Sequence, residues 1–224
     1  MERHFDEELN QLKKELLRMA SLAEEAVAKA IKALEKRDES ICRQVLAEEE
    51  RINMLEIDIE EMCLRLLALR QPMAVDLRFI TSAMKINNDL ERIGDLAVNI
   101  AERTLDLLTE PLLKPLIDIP RMAMIVQGMV RDVLEAFIKG DSKLAREVCR
   151  RDDEVDNLND QIFRELLTYM ISDPKTIKRA LDLILVARNL ERVADHATNI
   201  GEDVFYLVEG RTIKHHIEEK QSDK

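Results

Sequence analysis

The residues of this chain with the clearest capacity for chemistry are carboxylates and carboxamides in two related stretches. Residues 90–102 read LERIGDLAVNIAE and residues 190–202 read LERVADHATNIGE, which are identical at eight of thirteen positions. Each stretch spaces a glutamate, an aspartate and an asparagine four residues apart, which places the three side chains on one face of a helix. Oxygen-only donors select hard or borderline cations such as Mg²⁺, Mn²⁺ or iron. The pattern therefore predicts a cation-binding face in each half of the chain.

A second acidic stripe precedes each of these stretches, on a different helical pattern. If the helices of each half pack antiparallel, the two stripes of that half can face each other along one edge. The earlier stripes contain Glu49, Asn53, Glu56 and Glu60 in the first half, and Asp152, Asp156 and Asn159 in the second half.

The competing interpretation is a solvated helix face that binds nothing. Like charges four residues apart destabilise a helix, and neither Glu91/Asp95 nor Glu191/Asp195 has a Lys or Arg four residues further along the stripe. A bound cation would supply the missing compensation, which favours the metal site. His196 points about 100° away from Asp195, so a packed or surface histidine is a better interpretation than a ligand.

Hydrophobic periodicity predicts the elements that must position these stripes. Each half shows three helical patterns, separated near Asp38 and by Pro72 in the first half, and by Gly140 and Pro174 in the second. We predict an all-α fold of two tandem, sequence-related three-helix bundles with six long helices. The predicted first-half helices cover 5–37, 40–69 and 75–109, and the predicted units are 1–112, 117–210 and a charged C-terminal tail, 211–224.

Composition supports helices and narrows the class of partner. Only 3% of the 224 residues are aromatic and 35% are charged, which suits amphipathic helices better than strands. The net charge of −11 disfavours nucleic-acid binding, which depends on basic surfaces. The charged N-terminus and the lack of an apolar run of ~20 residues predict a cytoplasmic protein that reaches a membrane only through partners.

Both stretches, together with the segment LRQPMAVDLRFITSAMKI that leads into the first, resemble the duplicated signature of the PhoU family. The resemblance covers roughly residues 5–210 and implies two PhoU-like bundles side by side. It implies a negative regulator of phosphate uptake and of the phosphate-starvation response. Such a protein would be a homodimer, peripheral to the inner membrane, acting between the ATPase subunit of a phosphate ABC transporter and a sensor histidine kinase.

The resemblance also implies multinuclear metal clusters, of iron or zinc with manganese or magnesium as further options, held on E/D-x-x-x-D motifs. The motif is complete at Asp152/Asp156, whereas Asn53 replaces the second acid after Glu49, so the second-half site is expected to bind metal more tightly. The predicted ligand set is Glu49, Asn53, Glu91, Asp95, Asn99, Asp152, Asp156, Glu191, Asp195 and Asn199.

Two other functions stay open at this point. Clustered carboxylates with two metals could hydrolyse phosphate esters, although no general base accompanies them. A helical scaffold that binds no metal would also fit the periodicity. The sequence holds no Walker lysine, phosphate-binding glycine loop or nucleophile elbow, so we expect a protein that is not an enzyme.

Overall fold

The computed structural model describes residues 2–213, and helices account for nearly all of them. The predicted all-α fold is confirmed, and no strand occurs within that range. The elements are α1 (Glu2–Lys36), α2 (Glu39–Arg70), α3 (Ala74–Leu108), α4 (Asp118–Lys139), α5 (Ser142–Ser172), a 3₁₀ turn (Pro174–Thr176) and α6 (Ile177–Glu209). The predicted tail lies outside the described residues from position 214 onward.

Short polar caps and breakers set the helix boundaries at the predicted places. The Asp38 carboxylate accepts a hydrogen bond of 2.9 Å from the Ser40 backbone N–H and so starts α2. Asp141 starts α5 in the same way, accepting from the N–H groups of Lys143 and Leu144. Before it, Gly140 adopts a left-handed backbone at φ +62°, which ends α4 at little steric cost.

The helices form two three-helix bundles that meet along α3 and α6. The first bundle contains α1 to α3 and the second contains α4 to α6, with α1 and α4 making a smaller contact between them. Ion pairs across the α3–α6 contact join Lys85 to Asp203 and Arg103 to Asp182. Since the numbers rise on α3 as they fall on α6, the two helices run antiparallel. Among residues 2–213, no helix combines the length and apolarity needed to span a membrane.

The interbundle connection, between α3 and α4, is fixed by side chains from both halves. Arg37 donates to the carbonyl oxygens of Leu107 at 3.1 Å and Glu110 at 2.6 Å. Arg179 of α6 donates to the Pro111 carbonyl at 3.1 Å. Lys114 is buried within the connection and forms an ion pair with Glu165 of α5. This proline-rich segment is therefore anchored to the bundles it joins.

Close packing at one glycine of α6 gives a direct test of the helix contacts. A Cβ at Gly201 would lie 3.0 Å from the carbonyl oxygen of Ala145 and 3.1 Å from Cys149 Sγ, both on α5. We expect Gly201→Ala to lower the unfolding free energy by about 1–3 kcal/mol, because a backbone carbonyl cannot move aside alone. Chemical denaturation measures the effect.

Gly128→Ala is the matched control. Its nearest neighbour would be the Arg151 side chain at 3.8 Å, so helix propensity should raise stability by about 0.5–1 kcal/mol. Equal stabilisation by both substitutions would contradict the α5–α6 packing described.

Candidate metal centres

Acidic side chains from α5 and α6 come together in the second bundle. Asp152 is half-buried, and its burial, together with the charges of Asp195, Asp156, Asp153 and Glu191, raises its pKa to about 6. Four of the predicted ligands therefore lie close enough for their charges to interact. We call Asp152, Asp156, Glu191 and Asp195 the second acidic cluster.

The protein itself compensates the second acidic cluster only in part. Burial raises the pKa of Glu191, and the charge of Asp195 raises it further. Burial and the charge of Asp156 likewise raise the pKa of Asp195, although Asp195 is more exposed than Glu191. Asp152 Oδ1 and Glu191 Oε2 are buried without a hydrogen-bond partner. Arg188 Nη1 lies 3.5 Å from Glu191 Oε1, and Arg188 and Arg192 both oppose the rise in the pKa of Glu191 and of Asp195. Unpartnered buried carboxylate oxygens suit a hard cation, so the donor set fits a metal.

The first bundle holds a similar cluster with a different charge balance. Burial raises the pKa of Glu91, followed by the Asp95 charge, and Glu56 contributes as well. Glu91 Oε2 and Asn53 Oδ1 are buried without a hydrogen-bond partner, although Glu91 Oε2 forms an ion pair with Arg92. Arg92 lies 3.3 Å from Glu91 and 3.1 Å from Asp95. Glu56, Glu91 and Asp95, with Asn53 beside them, form what we call the first acidic cluster.

Arg92 corrects one premise of the sequence argument. The stripes lack a basic residue at the i+4 position, but Arg92 reaches Asp95 from three residues before it, and Arg188 reaches Glu191 in the same way. Sequence spacing alone did not reveal this, because a flexible arginine can pair with acids three residues away as well as four. The first acidic cluster is therefore partly neutralised without metal.

Glu56 is the acid that the predicted ligand set omitted. It corresponds to Asn159 of the second half, just as Asn53 corresponds to Asp156, so an acid and an amide exchange places between the repeats. Burial raises the pKa of Glu56 and the Glu60 charge adds to the shift. The signal was present in the sequence, since Glu56 lies on the predicted stripe one turn beyond Asn53. The loss of charge at Asn53 is thus offset within the same cluster.

The remaining predicted ligands lie in other surroundings. Glu49 is half-buried on α2, and Asn99 is exposed on α3. Asn199 Nδ2 donates to Asp89 Oδ1 across 3.4 Å, and His196 Nδ1 lies 2.8 Å from the same oxygen. Asn199 therefore lines a cleft of about 400 Å³ between α3 and α6, where it contacts the other half of the molecule.

Neither cluster is a ready-made chelate. Over the part of the chain that the structure describes, no three His, Cys, Asp or Glu side chains converge as a group able to hold a metal ion. The carboxylates influence each other's ionisation, yet their side chains would have to turn toward a shared cation. The structure provides one partly desolvated acidic face on each bundle. Each face has buried oxygens that lack a hydrogen-bond partner.

Comparison with known proteins identifies the family. The family model described as the PhoU domain matches twice, over residues 16–104 and 119–204. The chain belongs to the PhoU family. Each match contains one acidic cluster, so both clusters lie within the duplicated PhoU domain.

Relatives and solved structures agree with this assignment. A phosphate-specific transport system accessory protein PhoU homolog of Aquifex aeolicus is 48% identical, over 95% of this chain and 97% of its own. A protein of the same name from Caulobacter vibrioides is 46% identical, over 93% and 91%. The crystal structure of PhoU from Pseudomonas aeruginosa aligns with a TM-score of 0.90 at 42% identity, covering 92% of this chain and all of its own.

A more distant solved structure shows the same fold. It is the phosphate transport system regulatory protein PhoU from Streptococcus pneumoniae, which aligns with a TM-score of 0.86 at 29% identity over 94% of this chain and 99% of its own. The resemblance and the two-bundle architecture read from the sequence are both confirmed.

The raised pKa of Asp152 predicts a pH-dependent stability defect in metal-free protein. Because the folded-state pKa of Asp152 is raised, this carboxyl supports folding only while it is protonated. Its contribution to the free energy of unfolding is fully present below pH ~4 and is lost as pH rises through about 6. In EDTA at pH 7.5, Asp152→Asn should raise the unfolding free energy by about 1–3 kcal/mol, because the amide carries no charge. The thermal midpoint should rise by ~2–4 °C per kcal/mol.

The pH series carries its own control. At pH 5 the benefit of Asp152→Asn should shrink, since the wild-type carboxyl is then largely protonated. Asp160→Asn, at an exposed acid on the same helix, should change stability by less than about 0.5 kcal/mol at either pH. A gain of equal size at pH 5 and pH 7.5 would rule out relief of charge as the cause.

Proposed function

We propose that this protein is a metal-binding negative regulator of phosphate uptake and of the phosphate-starvation response. In this role it is a cytoplasmic adaptor between the ATPase subunit of a phosphate ABC transporter and a sensor histidine kinase. It works as a homodimer and reaches the inner membrane only through these partners. The observation that carries the proposal is the PhoU domain repeated over both halves of the chain, with an acidic cluster in each copy.

The names of the relatives support an accessory role. The Aquifex aeolicus and Caulobacter vibrioides proteins are named as accessory proteins of phosphate-specific transport, and the Streptococcus pneumoniae protein as a regulatory protein of phosphate transport. Since these names describe neither transporters nor enzymes, we assign this chain a regulatory task. Metal-dependent ester hydrolysis gains no support, because the acidic clusters lie on helix faces in separate bundles.

The metal proposal has its own structural support. In the second cluster, Asp152, Asp156, Glu191 and Asp195 would hold the ion, and in the first cluster Glu56, Glu91 and Asp95 would do so with the Asn53 oxygen. Two carboxylates of the second cluster and one of the first have a buried oxygen without a hydrogen-bond partner. A bound cation would neutralise the like charges that raise these pKa values, so it would stabilise each bundle as a docking surface.

We expect the second acidic cluster to bind metal more tightly than the first. Arg92 pairs with both Glu91 and Asp95 and partly neutralises them, whereas the charged groups that shift the pKa of Asp152 are all carboxylates. Titrating chelator-treated protein with Mn²⁺, Zn²⁺ or Fe²⁺, with metal content checked by mass spectrometry, should resolve two classes of site. Asp195→Asn should remove the tighter class and Asp95→Asn the weaker one.

Asp58→Asn, at an exposed acid of α2 outside the first cluster, should leave both classes intact. If wild-type protein neither retains metal on gentle purification nor binds it in the titration, the metal proposal fails. The metal-free helical scaffold then becomes the better description.

Regulation is tested separately in cells. Deleting the gene should derepress phosphate-scavenging genes in phosphate-rich medium, and the wild-type gene on a plasmid should restore repression. A reporter fused to such a promoter gives the measurement. Unchanged reporter expression in the deletion strain would refute the regulatory role whatever the metal content. Full repression by a folded variant that lacks Glu91, Asp95, Glu191 and Asp195 would separate regulation from metal.

A further inference from the structure

A buried asparagine of α3, Asn87, borders the first acidic cluster. The residue is only 2% exposed, and its Nδ2 atom donates a hydrogen bond of 2.9 Å to the backbone carbonyl oxygen of Glu56 on α2. Its Oδ1 atom is buried and has no hydrogen-bond partner. Burying a carbonyl oxygen without a partner destabilises a protein, so this atom calls for an explanation.

The register of α2 and α3 places the Asn87 amide at one edge of the cluster. Asn87, Glu91 and Asp95 follow one another at intervals of four residues, which keeps their side chains within about 80° of arc on α3. Burial is the main cause of the raised pKa of Glu91, and the charge of Glu56 contributes to it across the α2–α3 contact. Because its hydrogen bond holds the Asn87 amide at the Glu56 backbone, the amide lies one helical turn from Glu91 and beside Glu56.

The second repeat shows that packing does not require an amide at this position. At the offset of 100 residues between α3 and α6, Asn87 corresponds to Ala187, which is 1% exposed. A methyl group therefore occupies the same buried position in a bundle that folds in the same way. The hydrogen bond to Glu56 does not account for the asparagine either, since a carbonyl inside a helix already accepts from the N–H four residues later. An unpaired oxygen in one repeat only is best explained by a ligand of that repeat.

Two more buried oxygens of the first acidic cluster lack a hydrogen-bond partner. They are Asn53 Oδ1 and Glu91 Oε2, and the second of these forms an ion pair with Arg92. Together with Asn87 Oδ1 they make three acceptors, and the other carboxylate oxygens of the cluster are acceptors as well. A water molecule has only two protons to donate, whereas a hard divalent cation takes about six oxygen ligands at once. The atoms without partners therefore fit a cation better than a buried water.

We propose that Asn87 is a ligand of the metal in the first acidic cluster, where its Oδ1 atom is a neutral donor beside the carboxylates. With Asn53, it gives the first site two uncharged oxygens, whereas the four members of the second acidic cluster are all carboxylates. Carbonyl and carboxylate oxygens together suit Mn²⁺, Mg²⁺ or Ca²⁺ better than softer ions. The inference rests on the metal-binding part of the proposed function and names a residue that distinguishes the first site from the second.

The test measures Mn²⁺ binding to the first site alone. Asp195→Asn removes the second site, and this variant is the parent for the others, used as full-length protein freed of metal with EDTA and then dialysed. The electron paramagnetic resonance signal of free Mn²⁺ gives the dissociation constant. Asn87→Ala, which copies Ala187, should raise that constant about tenfold or more, because a donor to the ion is lost. Asn88→Ala is the matched control, since this exposed neighbour lines the cleft between α3 and α6, and it should leave the constant unchanged.

Asn87→Asp separates a metal ligand from a purely structural residue. The aspartate keeps an oxygen at this position and adds a negative charge, so Mn²⁺ should bind at least as tightly as it binds the parent. In EDTA the added carboxylate should lower the thermal midpoint, because it joins the like charges of the cluster. Saturating Mn²⁺ should restore the midpoint, since an ion that binds only the folded state stabilises that state. Circular dichroism verifies that each variant is folded.

Three results would overturn the proposal. The first is a folded Asn87→Ala protein with the dissociation constant of its parent, which would leave only a buried water as the partner of Asn87 Oδ1. The second is an equal loss of affinity in Asn88→Ala. The third is a midpoint of Asn87→Asp that Mn²⁺ does not restore.

The failure of this inference can be told from the failure of the metal site itself. If Asp95→Asn abolishes Mn²⁺ binding by the parent and Asn87→Ala does not, the metal site stands and only the assignment of Asn87 fails. If the parent binds no Mn²⁺, both the first metal site and the assignment of Asn87 fail.

Discussion

The antiparallel contact between α3 and α6 is the constraint on which the rest of the molecule depends. Each of these helices must bury one side in its own bundle and a second side against the other. Asp203 and Asp182 are buried at this contact and are compensated from α3 by Lys85 and Arg103. Because an unpaired buried carboxylate is strongly destabilising, these pairs restrict how far α6 can slide along α3. The register of the two bundles follows from that restriction.

Because α3 and α6 are each packed on two sides, only their remaining faces are open to solvent or to a ligand. The acidic stripes lie beside α2 and α5, where neighbouring helices partly desolvate them without providing enough donors. Burial is the leading cause of the raised pKa values of Glu91, Asp152 and Glu191. The same packing that stabilises the bundles thus creates two strained acidic surfaces, which a cation would relieve.

The two repeats share a backbone plan but differ in side chains at matching positions. Buried Gly94 on α3 accompanies Ile52, whose Cδ1 would lie 3.0 Å from an added Cβ, whereas the second repeat has Ala194 and the smaller Val155 at those positions. Such exchanges keep the packed volume nearly constant. Arg92 and Arg192 are the same residue in both repeats, and Arg92 pairs with both acids of its own stripe.

Much of the fold followed from local pattern, and so did most of the candidate site. Amphipathic periodicity predicted all six helices, with starts and ends near those observed, because caps such as Asp38 and breakers such as Pro72 act over a few residues. Glu91, Asp95, Glu191 and Asp195 were found because i, i+4 spacing places them on one face. Glu56 was left out of the ligand set, since its approach to Glu91 depends on how α2 is rotated against α3.

The sequence by itself determined the helices, the duplication and the acidic faces, since each follows from residue type and spacing along one chain segment. Tertiary structure decided which groups meet across helices. It joined Asn199 and His196 to Asp89 of the other bundle, and it left Leu181 and Leu185 partly exposed. These outcomes depend on the rotation and register of separate helices, which packing of the whole core sets and the periodicity of a single helix cannot specify.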